Sequence, residues 1–269
     1  MPSELTQADL TRAFTDVGLQ PGDSVIVHSA FRTLGAVQDG PQTAIATLLE
    51  AIGPRGNLML PTFNYTLPPG EPFDPAHTPG LTGVLTETGR AWPGAVRSLC
   101  PTHSVAVIGP DAKELTADHL RFRAVGIGSP IDRLAKRGGK VLLIGVGHTS
   151  NTTIHLGEEY AGVPKAPWAQ GLPTWTVRTP DGQIVEHRHD TSTTCSTGFG
   201  AAEYPMRQRG LIRDLRHGAC KIQLMRAQDV IDSVVRVISE KPDILLCTWP
   251  GCVPCTRTRE NLRREKKIP

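Results

Sequence analysis

The residues best suited to chemistry lie in one stretch, Val141-Leu-Leu-Ile-Gly-Val-Gly-His-Thr-Ser-Asn-Thr-Thr-Ile-His155-Leu-Gly-Glu158-Glu159. A helix-borne histidine with acids three and four residues on can share a helix face with one carboxylate. Such a pair suits proton removal near neutral pH, because histidine titrates there without heavy perturbation. The same histidine also reads as a satisfied structural residue, and the Gly-x-Gly pair lacks the third glycine and downstream acid of a dinucleotide site.

What must position this group is a strand followed by a helix. Val141 to Ile144 form a branched apolar run that reads as a buried strand. The small hydroxyl and amide residues after Gly147 can cap a helix carrying His155 in its first turns. Ligands in open α/β sheets gather at such strand ends. Around this segment the pattern predicts an amphipathic helix over 4–17 capped by Ser3, a strand over 24–28, a helix over 41–52 and a strand from Asn57 to Leu60. Further strands are expected at 104–108, 141–145, 174–178 and 244–248, and helices at 111–117, 130–137, 152–161 and 227–239. The β–α–β order predicts a single three-layer α/β/α domain around a mixed central sheet, spanning 1–269. The stretch 62–80 has neither period. It is stiffened by Pro68, Pro69, Pro72, Pro75 and Pro79 and carries Glu71 and Asp74. A loop of that length reads either as functional or as a solvated surface loop.

A second group of reactive side chains lies late in the chain. Five of the six cysteines fall between 195 and 255, and Cys252-Val-Pro-Cys255 has a zinc-ligand spacing. Cys195 and Cys220 would complete a structural zinc site within a small cysteine-rich subsite over 185–260, with His189 or His217 as substitutes. Scattered free thiols are the other reading. Six cysteines in 269 residues exclude a disulfide scaffold. A net charge of +3 gives no case for a nucleic-acid partner. The basic tail from Arg257 to Lys267 reads as a solvated end. No apolar run suggests a membrane span, and the polar start does not read as a signal peptide, so a cytoplasmic protein is expected.

Ordered motifs through most of the chain carry a family resemblance. They are Val27-His-Ser-Ala-Phe-Arg32 with Asp39-Gly40, Gly56 to Pro61, Glu71-Pro-Phe-Asp-Pro75, and Gly83-Val84 with Glu87. Arg97-Ser98 with Pro101 and Ser104, Ser129-Pro130, and Gly145 to Glu158 complete them. Together they resemble the aminoglycoside 3-N-acetyltransferases that do not share the GNAT fold. The Gly145–Glu158 run and Gly251-Cys-x-x-Cys255 are similar to the type IV branch, which acetylates apramycin and gentamicin.

The resemblance implies acetyl transfer from acetyl-coenzyme A to the 3-amino group of a deoxystreptamine aminoglycoside; the sequence leaves monomer and homodimer both open. The resemblance also implies His155 as general base, Glu87 as the acid that orients or charges it, and Asp74 and Glu158 as holders of substrate ammonium groups. Ser29, Phe31, Ser104 and Ser129 would line the coenzyme A groove. A polycationic substrate of a basic protein needs fixed carboxylates. Glu71, Asp74, Glu158, Glu159 and Asp190 are therefore expected to face the cleft. The oxyanion would take backbone N–H groups of the Gly145–Gly147 turn or the Ser104 hydroxyl.

The chain departs from the family's pattern at Cys100, where histidine is common, with His103 three residues on, and at Ala30, where a second serine is usual. Other readings stay open: another amine acceptor in a biosynthetic pathway, a ping-pong transferase with Cys100 as nucleophile, or a binding module or zinc hydrolase built on the cysteines.

Overall fold

The computed structural model describes residues 4–68, 70–166, 173–190 and 192–269. Ser3 and Pro69, singled out above, lie outside them. The strands are β1 (Ser24–Ser29), β2 (Asn57–Pro61), β3 (Val96–Arg97), β4 (Val105–Ile108), β5 (Lys140–Ile144), β6 (Thr174–Arg178), β7 (Ile184–Arg188), β8 (Arg213–His217) and β9 (Cys220–Arg226). The helices are α1 (Gln7–Val17), α2 (Pro41–Ile52), α3 (Val84–Arg90), α4 (Ala112–Thr116), α5 (Pro130–Lys136), α6 (Thr153–Tyr160), α7 (Glu203–Gln208), α8 (Ala227–Glu240) and α9 (Val253–Arg264).

Seven strands form one mixed sheet in the order β3-β4-β2-β1-β5-β9-β8. Only the central β2, β1 and β5 run parallel, and antiparallel strands flank them. Strand alternation divides the core in two. Val25, Val27, Leu58, Leu60, Leu142 and Ile144 pack under α1, α2 and α3. Ile26, Met59, Val141 and Leu143 point to the other face, against α4, α5, α6 and α8. The central strands are buried on both faces, which explains why they read as unbroken apolar runs. The result is the expected three-layer α/β/α arrangement. Among the described residues no helix is long and apolar enough to cross a membrane.

Several expectations need correcting. The first helix is capped by Thr6, whose hydroxyl accepts from the Asp9 N–H while the Asp9 carboxylate accepts from the Thr6 N–H. Segment 174–178 is a strand, but in a separate hairpin with β7. Residues 244–248 are not a strand. Leu245 anchors a turn in the main core, and Leu246 and Cys247 join a small third cluster beneath α9. The basic C-terminal stretch from Arg257 on continues that helix, with Leu262 and Thr258 buried beneath it.

Helix α6, which carries His155, lies directly on α8. At Gly157 an added Cβ would come within 2.5 Å of the Val234 Cβ. Here glycine serves close approach and not backbone freedom. Gly157→Ala should destabilise the fold by about 1–3 kcal/mol despite alanine's better helix propensity. Measured by urea midpoint, the loss should shrink when Val234→Gly removes the Cβ that the new methyl would meet. An equal loss in both backgrounds would contradict this packing.

Candidate active site

Strand β5 ends at Ile144, the chain turns at Gly145, and α6 begins eight residues later. Gly145 has a φ of +65°, and its N–H donates to the Lys221 carbonyl at 2.8 Å. Asn151 starts the helix with its Oδ1, which accepts from the Thr153 N–H at 3.2 Å. His155 thus sits in the first turn, at the ends of β1 and β5. The cleft there has a volume of about 440 Å³ and is lined by His28, Ser29, Phe63, Tyr65, His103, Asn151, Thr152, His155 and Phe199, among others.

His155 and Glu158 are one helical turn apart and hydrogen-bonded, Nδ1 to Oε2, at 2.9 Å. Glu158 is 1% exposed. Its carboxylate also accepts from the Thr194 hydroxyl, at 2.7 and 2.8 Å to its two oxygens. Lys165, whose side chain is wholly buried, places Nζ 3.9 Å from the same carboxylate and donates to the His155 carbonyl at 2.7 Å. The Phe199 ring meets the imidazole edge-on at 4.6 Å. Burial holds His155 below the ordinary histidine pKa and Lys165 lowers it further, while the hydrogen bond and charge of Glu158 act the other way. The resting imidazole is therefore neutral at pH 7. With Nδ1–H donated to Glu158, Nε2 is the nitrogen left to accept a proton.

The other expected residues fall elsewhere. Glu87 does not reach His155: it accepts from the Gly80 N–H at 2.7 Å and pairs with Arg90 at 2.9 Å, tying the end of the 62–80 loop to α3. Asp74 pairs with His77 and Arg178, each at 3.1 Å. Glu71 is exposed on that loop. Asp190 and Glu159 share Arg123, at 2.7 and 2.6 Å. Among the described residues no carboxylate lines the cleft. Of the five acids expected there, Asp74, Glu159 and Asp190 are engaged by basic partners, Glu71 faces solvent, and Glu158 turns inward to the histidine.

Ser29 lines the cleft, but Phe31 packs against the α1–α2 core. Ser129 is a buried cap of α5. The Ser104 hydroxyl is spent on the Thr62 carbonyl at 2.9 Å, and the Gly145 N–H on Lys221. Neither is a free oxyanion donor in this arrangement. Sequence reading missed Thr194 and Phe199, which reach the histidine from segments remote in sequence, and Lys165, which reaches it from the loop just after α6. Thr194 stands in the hydroxyl run Ser192-Thr-Thr194, and that run was its only signal.

Cys100 does have a histidine partner, His189, with Sγ and Nε2 3.2 Å apart. Both are buried, which pushes the thiol up to about 11 and the imidazole down to about 4. The two shifts favour thiol and neutral imidazole, the opposite of an activated thiolate pair.

Residues 26–239 match the family described as aminoglycoside 3-N-acetyltransferase. Aminoglycoside N(3)-acetyltransferase IV of Salmonella sp is 32% identical to this chain, over 91% of this chain and 92% of that protein. The solved structure of a histidine-to-alanine mutant of aminoglycoside acetyltransferase AAC(3)-IVa in complex with a gentamicin superposes with a TM-score of 0.83. It is 31% identical and covers 97% of this chain and 98% of its own. The binary complex of AAC-IIIb with CoASH gives a TM-score of 0.76 at 26% identity, covering 92% and 100%.

Burial also lowers five further histidines: His28, His148 and His189 to about 4, His119 to about 3, and His103 well below its usual value. The unfolded chain binds these protons near pH 6.5 and the folded chain does not. Stability is therefore full above pH 6.5 and is lost as pH falls from there toward about 4. Each unmatched proton contributes about 1.4 kcal/mol per pH unit. Thermal midpoints should be flat near pH 7–8 and fall steeply below 6.5. A midpoint unchanged down to pH 5 would contradict the burial of these rings as neutral groups.

Proposed function

The chain belongs to the aminoglycoside 3-N-acetyltransferase family, and from that premise we propose that it moves the acetyl group of acetyl-coenzyme A directly onto the 3-amino group of a deoxystreptamine aminoglycoside, with His155 as general base. The observation that carries the reading is the buried His155–Glu158 hydrogen bond at the mouth of the cleft. The relatives solved with a gentamicin and with CoASH support the two substrate classes.

An ammonium cannot attack a thioester, so the bound amine must be neutral or lose its proton as it reacts. In the proposed step the amine nitrogen forms a bond to the thioester carbonyl carbon, and Nε2 of His155 takes the proton that nitrogen sheds. The C–S bond then breaks. The proton passes to the departing sulfur, leaving an N-acetyl amide and free coenzyme A. Glu158 acts through His155: it fixes the ring and the tautomer and stabilises the imidazolium formed transiently. Phe199 and the low exposure of the pair keep the ring dry. Holding amine and thioester together in one complex supplies much of the remaining acceleration. Direct transfer fits the neutral, buried state of Cys100 better than a covalent acetyl-cysteine does. Among the described residues no carboxylate lines the cleft, so in this reading the acids that hold the substrate's ammonium groups lie beyond that lining.

Release of coenzyme A thiol should depend on an added aminoglycoside, in a panel of apramycin, gentamicin, kanamycin and paromomycin. His155→Ala should lower kcat by about 10²–10⁴-fold, the usual worth of a general base, while coenzyme A still binds. Cys100→Ala should remain active. Turnover with none of the four, from folded protein that binds coenzyme A, would overturn the aminoglycoside reading and favour another amine acceptor. Full activity of His155→Ala would overturn the base.

A further inference from the structure

Four of the six cysteines converge, and they are not the four the spacing selects. Cys220 lies on β9, where the Thr33 hydroxyl reaches its sulfur at 3.3 Å. Cys247 takes its place beside Cys195, Cys252 and Cys255, and all four Sγ atoms lie within 4.8 Å of one another. Three separate segments supply them: the stretch ending at Cys195, the 244–247 turn, and the start of α9.

We propose that Cys195, Cys247, Cys252 and Cys255 bind one zinc ion as a closed structural site. Four thiolates at a Zn–S distance of about 2.3 Å stand about 3.8 Å apart, so small inward shifts of these side chains suffice. A sulfur-only, tetrahedral donor set selects a soft ion such as zinc over magnesium or calcium. It also leaves no open position for a bound water, so this is not a hydrolytic centre. A disulfide fits less well: Cys195 and Cys255 are the hydrogen-bonded pair at 3.5 Å, against about 2.05 Å for a bonded one. Backbone contacts already pre-form the site. Arg259 on α9 donates to the carbonyl of Cys247 at 3.2 Å, bracing one ligand segment against another.

The apolar cluster around these sulfurs is small, made up of Leu246, Leu262 and the cysteines themselves with Ile268 beside them. Such a cluster gives α9 little to hold on to, and a metal would supply what hydrophobic burial does not. The site also adjoins the cleft. Thr194, which binds Glu158, immediately precedes Cys195, and Ser196, which lines the cleft, immediately follows it. Zinc would thus fix the segment that holds the acid of the His155 pair. This link to catalysis rests on the acetyl-transfer reading, whereas the metal site itself does not.

The test is elemental analysis of the purified full chain by mass spectrometry, with thiol titration of the same sample. The expected result is one zinc per chain, retained in Cys220→Ser and lost in Cys252→Ser and Cys255→Ser. Zinc drawn off by a pyridylazo-resorcinol chelator should lower the thermal midpoint, and added zinc should restore it. Metal-free protein with all six thiols titrating, or with a disulfide among the four, would overturn the site. Zinc-loaded protein without acetyl transfer would keep the site and sink the link to His155. Should the serine variants fail to fold, the zinc content of the unaltered chain decides alone.

Discussion

A carboxylate with 1% exposure has to be satisfied where it lies, and Glu158 is that carboxylate. Burying an ionised group costs several kcal/mol unless charge and hydrogen bonds offset it. The structure assembles that compensation from three directions: His155 on its own helix, Thr194 from the segment before the cysteine cluster, and Lys165 from the loop after α6. Lys165 is itself buried and draws on Glu158 and Glu159 together. Arg123 then links Glu159 to Asp190, so the network runs from the cleft to the surface. Removing Glu158 or Lys165 leaves the other's charge buried with less to offset it, which ties the fold of these loops to the chemistry of the ring.

Burial and the network together set the protonation of His155. Burial is the largest influence and keeps the imidazole neutral, and Lys165 adds to it. The hydrogen bond and charge of Glu158 act against both and orient the ring, yet its pKa stays below the usual value. A base must start neutral to accept a proton, and its partner must welcome the charge once it arrives. The same pair of residues meets both needs.

Much of this was legible in the sequence where one local rule dominates. The branched apolar runs at Val25, Leu58 and Val141 mark strands because those strands are buried on both faces. Pro41 to Ile52 and Ala227 to Glu240 show clear helical periodicity because each buries one face against the sheet. His155 with an acid at i+3 was visible as a spacing. What local rules missed depends on tertiary placement. The Ile244–Cys247 run is apolar because it packs as a turn over two clusters, and a four-residue run cannot show the difference. Edge strand β8, Arg213-Asp-Leu-Arg-His217, is highly charged, as exposed edges often are, and so carries no strand signal. Helix α9 is hidden by its arginines. Glu87 and Asp74 were sorted by motif and Asp190 by the substrate's charge, but their partners Arg90, Arg178 and Arg123 emerge only in the fold. Cys247 stood outside the C-x-x-C spacing for the same reason.

The central claim is the state of one imidazole. Nitrogen-15 NMR of histidine-labelled protein, with His155 assigned by its loss in His155→Asn, reads the tautomer and titration of that ring directly. The account predicts a neutral ring at pH 7, protonated at Nδ1 and bare at Nε2, titrating below the ordinary histidine value of 6.5. A ring protonated at Nε2, or one that is already an imidazolium at pH 7, would contradict it.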